Sequence, residues 1–321
     1  MIRFRLAAVA ALLGIALSGA ARADYPEKPV RLLVPFPAGG AVDIVARIVA
    51  AKLADDLGKP FVVENKAGAG GIIATNETAK AAPDGHTLLL TTPNHTINPA
   101  LNPALPYNTE KDIAPISIVA EVPEVLVSHP AVPFKDFAGF VDHARKNPGK
   151  LNYSSAGNGT LPHVTMELLL HRTGIQVAHI PYRGAAPAMN DLLAGVVQLK
   201  LDTYATSNQH VLAGKLNYLG IASRARSKLI PHVPTIAEMG LPGYEGILWI
   251  GLVAPGATPR PIIDKLAAAC AKAMRAQDVI ERLLSAGIDP VGGTTAEFTA
   301  VIARELPQWR DLVQAANIKL Q

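Results

Sequence analysis

Apolar residues along this chain follow two alternating rhythms. Short unbroken runs such as Val30–Val34 predict buried strands. Between them lie stretches with apolar positions every three or four residues. Val45, Val49, Leu53 and Leu57 recur in this way, with Asp43, Arg47, Asp55 and Asp56 off that face. The spacing predicts a helix from about Val42 to Leu57, closed by Gly58 and Pro60. Phe61–Glu64, Gly71–Ala82 and Thr87–Thr92 continue as strand, helix and strand, with Pro83-Asp84-Gly85 as a turn.

A second series starts near Glu124. Val125–Ser128, Leu151–Ser154, Val177–Tyr182 and Gln198–Thr203 read as strands, and Phe137–Lys146, Leu161–Arg172 and Ala186–Ala194 as helices. Ser207–Ala213 and Leu216–Ala222 continue the alternation. Ile247–Ala254 is another buried strand, and Pro261–Ala316 reads as nearly all helix. Strand and helix alternating almost throughout predict a parallel α/β construction. No repeat of solenoid period and no low-complexity tract interrupts it.

The first residues do not fit this pattern. Arg3 and Arg5 precede the small and apolar run Leu6–Leu17, and Ala21-Arg22-Ala23 completes an A-x-A site. This is the form of a secretory signal peptide over 1–23, with Asp24 as the expected mature start. The run is too short to span a bilayer, which takes roughly 20 apolar residues. Cleavage changes the charge. The whole chain carries 30 Lys and Arg against 26 Asp and Glu; losing Arg3, Arg5 and Arg22 leaves 27 against 26, a net +1. The basic residues form no stripe, so no nucleic-acid partner is expected.

Cys270, the single cysteine, lies in the helical pattern Ile263, Leu266, Cys270, Met274 and reads as a small buried hydrophobe. Aromatics make up only 5% of the chain. That argues against sugar receptors and quaternary-ammonium cages, which need aromatic walls. About 300 mature residues exceed what one core usually organises, so two domains are expected.

Two segments share one design, a strand running into a glycine-bearing loop that opens a helix. The first is Pro35-Phe36-Pro37-Ala38-Gly39-Gly40 and the second Ser154-Ser155-Ala156-Gly157-Asn158-Gly159-Thr160. A helix start has unpaired N–H groups and a partial positive charge, so it can hold a carboxylate without lysine or arginine. Thr160 is placed as an N-cap, with Pro162 tolerated in the first turn. No nucleotide fingerprint, phosphate loop, zinc-protease motif or metal spacing accompanies these loops. No cofactor is expected.

These residues carry a resemblance. Pro29–Arg47 (PVRLLVPFPAGGAVDIVAR) resembles the opening of the tripartite tricarboxylate transporter receptors, the Bug family. The likeness continues through ENKAGAGG (64–71), AAPDGHTLLL (81–90), NYSSAGNGT (152–160) and HIPYRGAAPAMNDLLAG (179–195). LDTYATSNQHVLAGKL (201–216) and VPTIAEMGLPGYE (233–245) extend it over essentially the whole mature chain. Pro93, the run Gly71-Ile72-Ile73-Ala74 and Lys200 depart from the family pattern and leave the particular ligand open.

The resemblance implies a two-lobed α/β periplasmic binding protein, type II-like, with a ligand cleft between lobes joined by two strands. Lobe one is expected over 24–122 and 246–321, and lobe two over 123–245. The implied function is capture of a small carboxylate (a dicarboxylate, aromatic acid or acidic amino acid) for integral membrane transporter subunits. The receptor is expected to be monomeric and not an enzyme. Its loops matching Phe36–Gly40 and Ser154–Thr160 would meet the carboxylate with backbone amides and water.

Beside the loops stand single candidates. Asp43 has two readings, a dipole-complementing partner of Arg47 at i,i+4 and a contact to a ligand amine or hydroxyl. Asp202 ends a strand, where cleft residues of open α/β sheets belong. Arg183 suits a carboxylate clamp or a surface ion pair. Phe36 and Tyr182 are expected to wall the cleft, and Asn94 follows the third strand. Two other functions use the same residues. One is a ligand sensor for a signalling partner. The other is a serine hydrolase with Ser154 or Ser155, His163 and Asp202, although no G-x-S-x-G elbow is present.

Overall fold

The computed structural model describes residues 25–316 and 318, apart from 224 and 228. The expected signal peptide lies outside the described residues. Strand β1 (Val30–Val34) leads into α1 (Ala41–Leu57), β2 (Phe61–Asn65), α2 (Ile72–Ala79) and β3 (Thr87–Thr91). Then come α3 (Asn94–Leu101) and the sixteen-residue β4 (Ile113–Ser128). The next elements are α4 (Phe137–Lys146), β5 (Asn152–Ser155), α5 (Leu161–Thr173), β6 (Ala178–Pro181) and α6 (Ala185–Leu193). After β7 (Leu199–Thr203), α7 (Tyr204–Leu212) and β8 (Asn217–Ile221), the chain returns through β9 (Ile247–Pro255). It ends in α8 (Arg260–Ala273), α9 (Gln277–Ser285), the two-residue β10 (Asp289–Pro290) and α10 (Thr295–Ala315).

The strands run in the order β2-β1-β3-β9-β4-β7-β5-β6. β1 is parallel to β2 and β3, and β5 is parallel to β6 and β7, as the alternating pattern predicts. β4 and β9 are antiparallel and join the two groups. Ile113–Pro123 of β4 pairs with β9, and Glu124–Ser128 pairs instead with β7 and β8.

β4 begins twelve residues before the predicted Val125, at Ile113. Pro115, Glu121 and Pro123 break the apolar run there, and prolines count against a central strand. Pro115 is tolerated because the β4–β9 register shifts between Pro115 and Ser117. Helix α3 went unpredicted because its buried residues Asn94, His95, Thr96 and Asn98 are polar. The predicted helix Gly71–Ala82 is shorter, with a 3-10 turn over Ala69–Gly71 ahead of it. The stretch after Pro261 is three helices with β10 between the last two, paired to β4.

One apolar core gathers β1, β3, β9, α1 and α8, with Cys270 fully buried in it; burial pushes the thiol up to about 12. A second gathers α4, α5, β5 and β7. Leu161 and Val164, at the start of α5, belong to the first core, so that helix start is seated between the two. Glu305 on α10 accepts from Thr96 (2.7 Å) and from the Trp249 indole (2.9 Å). This ties α3, and with it Asn94, to β9. Among the described residues no helix is long and apolar enough to cross a membrane.

Candidate functional site

The carboxyl ends of β1, β5, β6 and β7 each run into a helix, and the four helix starts line one cavity of about 420 Å³. It includes Gly40–Asp43 from α1, Thr160–Pro162 from α5, Gly184–Pro187 from α6 and Thr203 with Thr206 from α7. Strand ends that open helices are where open α/β sheets bind ligands.

At α1, Gly40 caps the helix without a side chain of its own, and Asp43 supports the loop from the first turn. Both Asp43 oxygens accept from Arg47 at 3.0 Å, and Asn65 Nδ2 (3.0 Å) and the Gly39 N–H (3.1 Å) also donate to them. Asn65 Nδ2 also reaches the Phe36 carbonyl at 3.0 Å, tying the loop at both ends. Burial raises the Asp43 pKa, but these hydrogen bonds outweigh it and hold the carboxyl below its usual range.

The α5 loop is supported by rings. His179 stacks on Tyr153 at 4.7 Å and on His163 at 4.1 Å between centroids. Its Nε2 lies 2.7 Å from Ser155 Oγ. The Gly159 N–H donates to His163 Nδ1 at 3.1 Å, and Thr160 Oγ1 donates to the Gly157 carbonyl at 2.7 Å. Burial lowers His163 to about 4; burial and then His163 lower His179 to about 3. Both rings are therefore neutral near pH 7.

Contacts cross the cavity. Asn94 Nδ2 donates to the Gly159 carbonyl at 2.9 Å. Gly184, at φ +123, opens α6 so close to Pro37 that a Cβ there would stand 3.0 Å from the proline Cγ. At α7, Asp202 accepts from Lys200, Thr206 (2.6 Å) and Ser207 (2.8 Å), and Glu124 lines the cavity beside them.

Of the residues singled out in the sequence, Phe36, Pro37, Ala38, Gly39, Gly40, Asp43, Asn94, Thr160 and Asp202 line the cavity. Ser154, Ser155, Gly157, Asn158 and Gly159 do not line it, and of their loop Ala156 and Thr160 reach the wall. Tyr182 also lies outside the lining, its hydroxyl donating to Asp191 at 2.6 Å, and Arg183 is exposed.

Glu124, Gly184–Pro187, Lys200, Thr206 and His210 line the cavity without having been singled out as site residues. Gly184 and Pro187 follow a strand as Thr160 and Pro162 do, and that parallel was there to be read. The hydrolase triad does not assemble, because His163 Nδ1 is taken by Gly159 and Asp202 by Lys200, Thr206 and Ser207. Among the described residues no three His, Cys, Asp or Glu could together hold a metal ion.

Three solved structures resemble the whole described chain. The periplasmic binding protein BugD is 34% identical at a TM-score of 0.87, covering 92% of this chain and 100% of that one. An R. palustris protein solved with adipate is 32% identical at 0.88, covering 92% and 99%. MatC from Rhodopseudomonas palustris, with bound malate, is 34% identical at 0.84, covering 90% and 100%. The family model "Tripartite tricarboxylate transporter family receptor" matches residues 45–318. The chain therefore belongs to the tripartite tricarboxylate transporter receptors, a family of two-lobed periplasmic solute-binding proteins.

Proposed function

We propose that this receptor captures a small carboxylate in the periplasm and delivers it to integral membrane transporter subunits, binding it without turning it over. The observation that carries the reading is a difference among the four helix starts. Those of α1 and α7 already have an acid at hand, Asp43 in the first turn and Asp202 just before the N-cap. Neither α5 nor α6 has an acidic residue in its first turn, and their starts line the same cavity. Unpaired N–H groups and an uncancelled dipole at two neighbouring helix starts suit a carboxylate. The relatives solved with adipate and malate support the class of ligand.

On this reading 24–122 with 246–321 forms one lobe and 123–245 the other. The switch of β4 partners at Glu124 and the return through β9 support that division. Across that cleft Pro37 and Asn94 of one lobe meet Gly184 and Gly159 of the other, and the receptor works as a monomer. The site residues proposed are the loop Phe36–Gly40 with Asn94, Thr160, Gly184–Pro187 and Asp202.

A thermal-shift panel tests this on protein recovered from the periplasm, expected to begin at or near Asp24. Small mono- and dicarboxylates should raise the melting temperature, and neutral sugars should not. At a hundred times its dissociation constant a ligand stabilises by about 2.7 kcal/mol, enough for a few degrees. A sugar that shifts the transition while the acids stay silent would overturn the reading.

A further inference from the structure

Among the described residues, every buried polar side chain on the cavity wall but one has a partner within the protein. Asp43 is held by Arg47 and Asn65, Asn94 donates to the Gly159 carbonyl, and Thr160 donates to that of Gly157. Lys200 donates to Asp202, and the Thr203 and Thr206 hydroxyls bond each other. Glu124 is the exception. It is 0% exposed and lines the same cavity, and neither of its oxygens meets a hydrogen-bond partner in the chain. A buried polar group left in that condition is costly, and such groups are rare without a functional reason.

Its surroundings decide the form in which it waits. An ionised carboxylate can only accept, and buried without a donor it is strongly disfavoured. The donors nearby are spent elsewhere. The Lys200 ammonium and the hydroxyls of Thr206 and Ser207 all go to Asp202. The Tyr244 hydroxyl, kept neutral by burial, donates to the Thr165 carbonyl. Of the other strands beside Glu124, β9 has no titratable side chain and β8 has only Tyr218, whose hydroxyl donates to Asn208 at 3.2 Å. Burial, and then the Asp202 charge, push the Glu124 carboxyl up to about 8 against the pull of Lys200. Near pH 7 it is therefore a carboxylic acid, with one O–H to give.

We infer that Glu124 selects among small carboxylates by donating its O–H to an oxygen acceptor that the ligand carries in addition to the carboxylate held at α5 and α6. The inference rests on the carboxylate reading above. A hydroxyl oxygen and a second carboxylate both qualify, because both accept. An acid whose remainder is hydrocarbon leaves Glu124 buried and unpaired, the situation in which a polar site discriminates most strongly. An ammonium has no lone pair to offer, so it meets Glu124 only after the carboxyl has ionised.

Calorimetry at pH 7 and pH 9 tests it, with butyrate and hexanoate set against α-hydroxybutyrate, succinate and adipate. The hydroxy acid and the two dicarboxylates distinguish the two kinds of acceptor. The tightest of these three should bind about tenfold or more above its hydrocarbon counterpart, as one hydrogen bond to a buried acid allows. It should also weaken about tenfold from pH 7 to pH 9, because ionisation of Glu124 removes the donor. Glu124→Met should erase the advantage. Glu124→Gln, whose amide N–H donates in place of the O–H, should recover most of it and lose the pH dependence. His210 and Asp43 also line the cavity but are common to both proteins, so they drop out of that difference. Each substitution removes an unpartnered group, so neither unfolding midpoint should fall. The wild-type pH profile set against that of Glu124→Gln decides the matter without the methionine variant.

An affinity that rises from pH 7 to pH 9 and is lost in Glu124→Gln would overturn the inference and make Glu124 the anion for a ligand cation. Hydrocarbon acids bound as tightly as the rest, or a pH profile unchanged by Glu124→Gln, would overturn it and leave carboxylate capture standing. Silence of all these acids would overturn both.

Discussion

The two glycine-bearing loops read alike in the sequence and are held in different ways. Phe36–Gly40 is fixed by an ionic brace, in which a buried Asp43 accepts from Arg47, Asn65 and the Gly39 N–H. Ser154–Thr160 is fixed by neutral rings, His163 and His179 stacked with Tyr153. The difference determines what each helix start has left for a ligand. Asp43 lies in the first turn of α1 and offsets much of its partial positive charge. Neutral imidazoles offset nothing, and α5 has no acid in its first turn. The first loop therefore supplies shape and closure, and the second supplies charge.

The largest effect should come from filling the first loop. Gly40 has φ −85 and ψ 169, and a Cβ there meets nothing within 4 Å, although the residue lines the cavity. Gly40→Val should therefore fold with an unchanged unfolding midpoint. It should lose more than about a hundredfold in carboxylate affinity, roughly 2.7 kcal/mol. Gly159 sits at φ +73, so a valine there would strain the backbone and mix a folding defect with a binding one. A folded Gly40→Val protein with wild-type affinity would show that Phe36–Gly40 is a turn and no more.

Acid should separate the two braces next. His163 and His179 are held at about 4 and about 3, against an ordinary 6.5. Between those values and 6.5 the unfolded chain takes up protons that the folded chain refuses, so stability falls as pH drops through that window. Asp43 is held below its ordinary 3.8, so its contribution is complete above that value and is lost only in stronger acid. At pH 5 the histidine brace therefore costs stability and the Asp43 brace does not. His179→Phe keeps a ring on Tyr153 and deletes one titration. It should flatten the dependence of urea stability on pH by up to about 1.4 kcal/mol per pH unit. His95, lowered to about 4 by burial, is present in both proteins and drops out of the comparison. Equal slopes would mean that the stack does not report on folding.

Much of this site was legible because its grammar is local. A strand, a glycine and an apolar helix can be read from neighbours in sequence, and α1, α4 and both loops emerged within a residue or two. Gly184–Pro187 obeys the same grammar, but the charge of Arg183 beside it drew the reading, and that side chain is exposed. Glu124 was not legible as a site residue, because nothing in its sequence neighbourhood marks it as one. Only the fold brings this lone acid to the cavity wall that Lys200 and Asp202 also line. Helix α3 hid for a related reason. Its inward face is held by hydrogen bonds from Asn94, Thr96 and Asn98 and carries little apolar periodicity for a pattern to find.

The smallest effect sharpens the claim that the second loop binds through its backbone. Thr160 occupies the N-cap of α5, yet its hydroxyl makes no cap bond to the helix. It donates back to the Gly157 carbonyl at 2.7 Å and so closes the loop. Thr160→Ala deletes that one hydrogen bond and leaves the N–H groups of α5 facing the cavity. The cost should be about 1 kcal/mol, a factor of about five in affinity, with a similar loss of stability. Thr160→Ser keeps the hydroxyl and should restore both. Calorimetry and urea unfolding on the pair separate the two possible roles. A loss beyond about thirtyfold in Thr160→Ala, with stability intact, would place the hydroxyl on the ligand itself. The second loop would then bind through a side chain, and the contrast with the first would have to be redrawn.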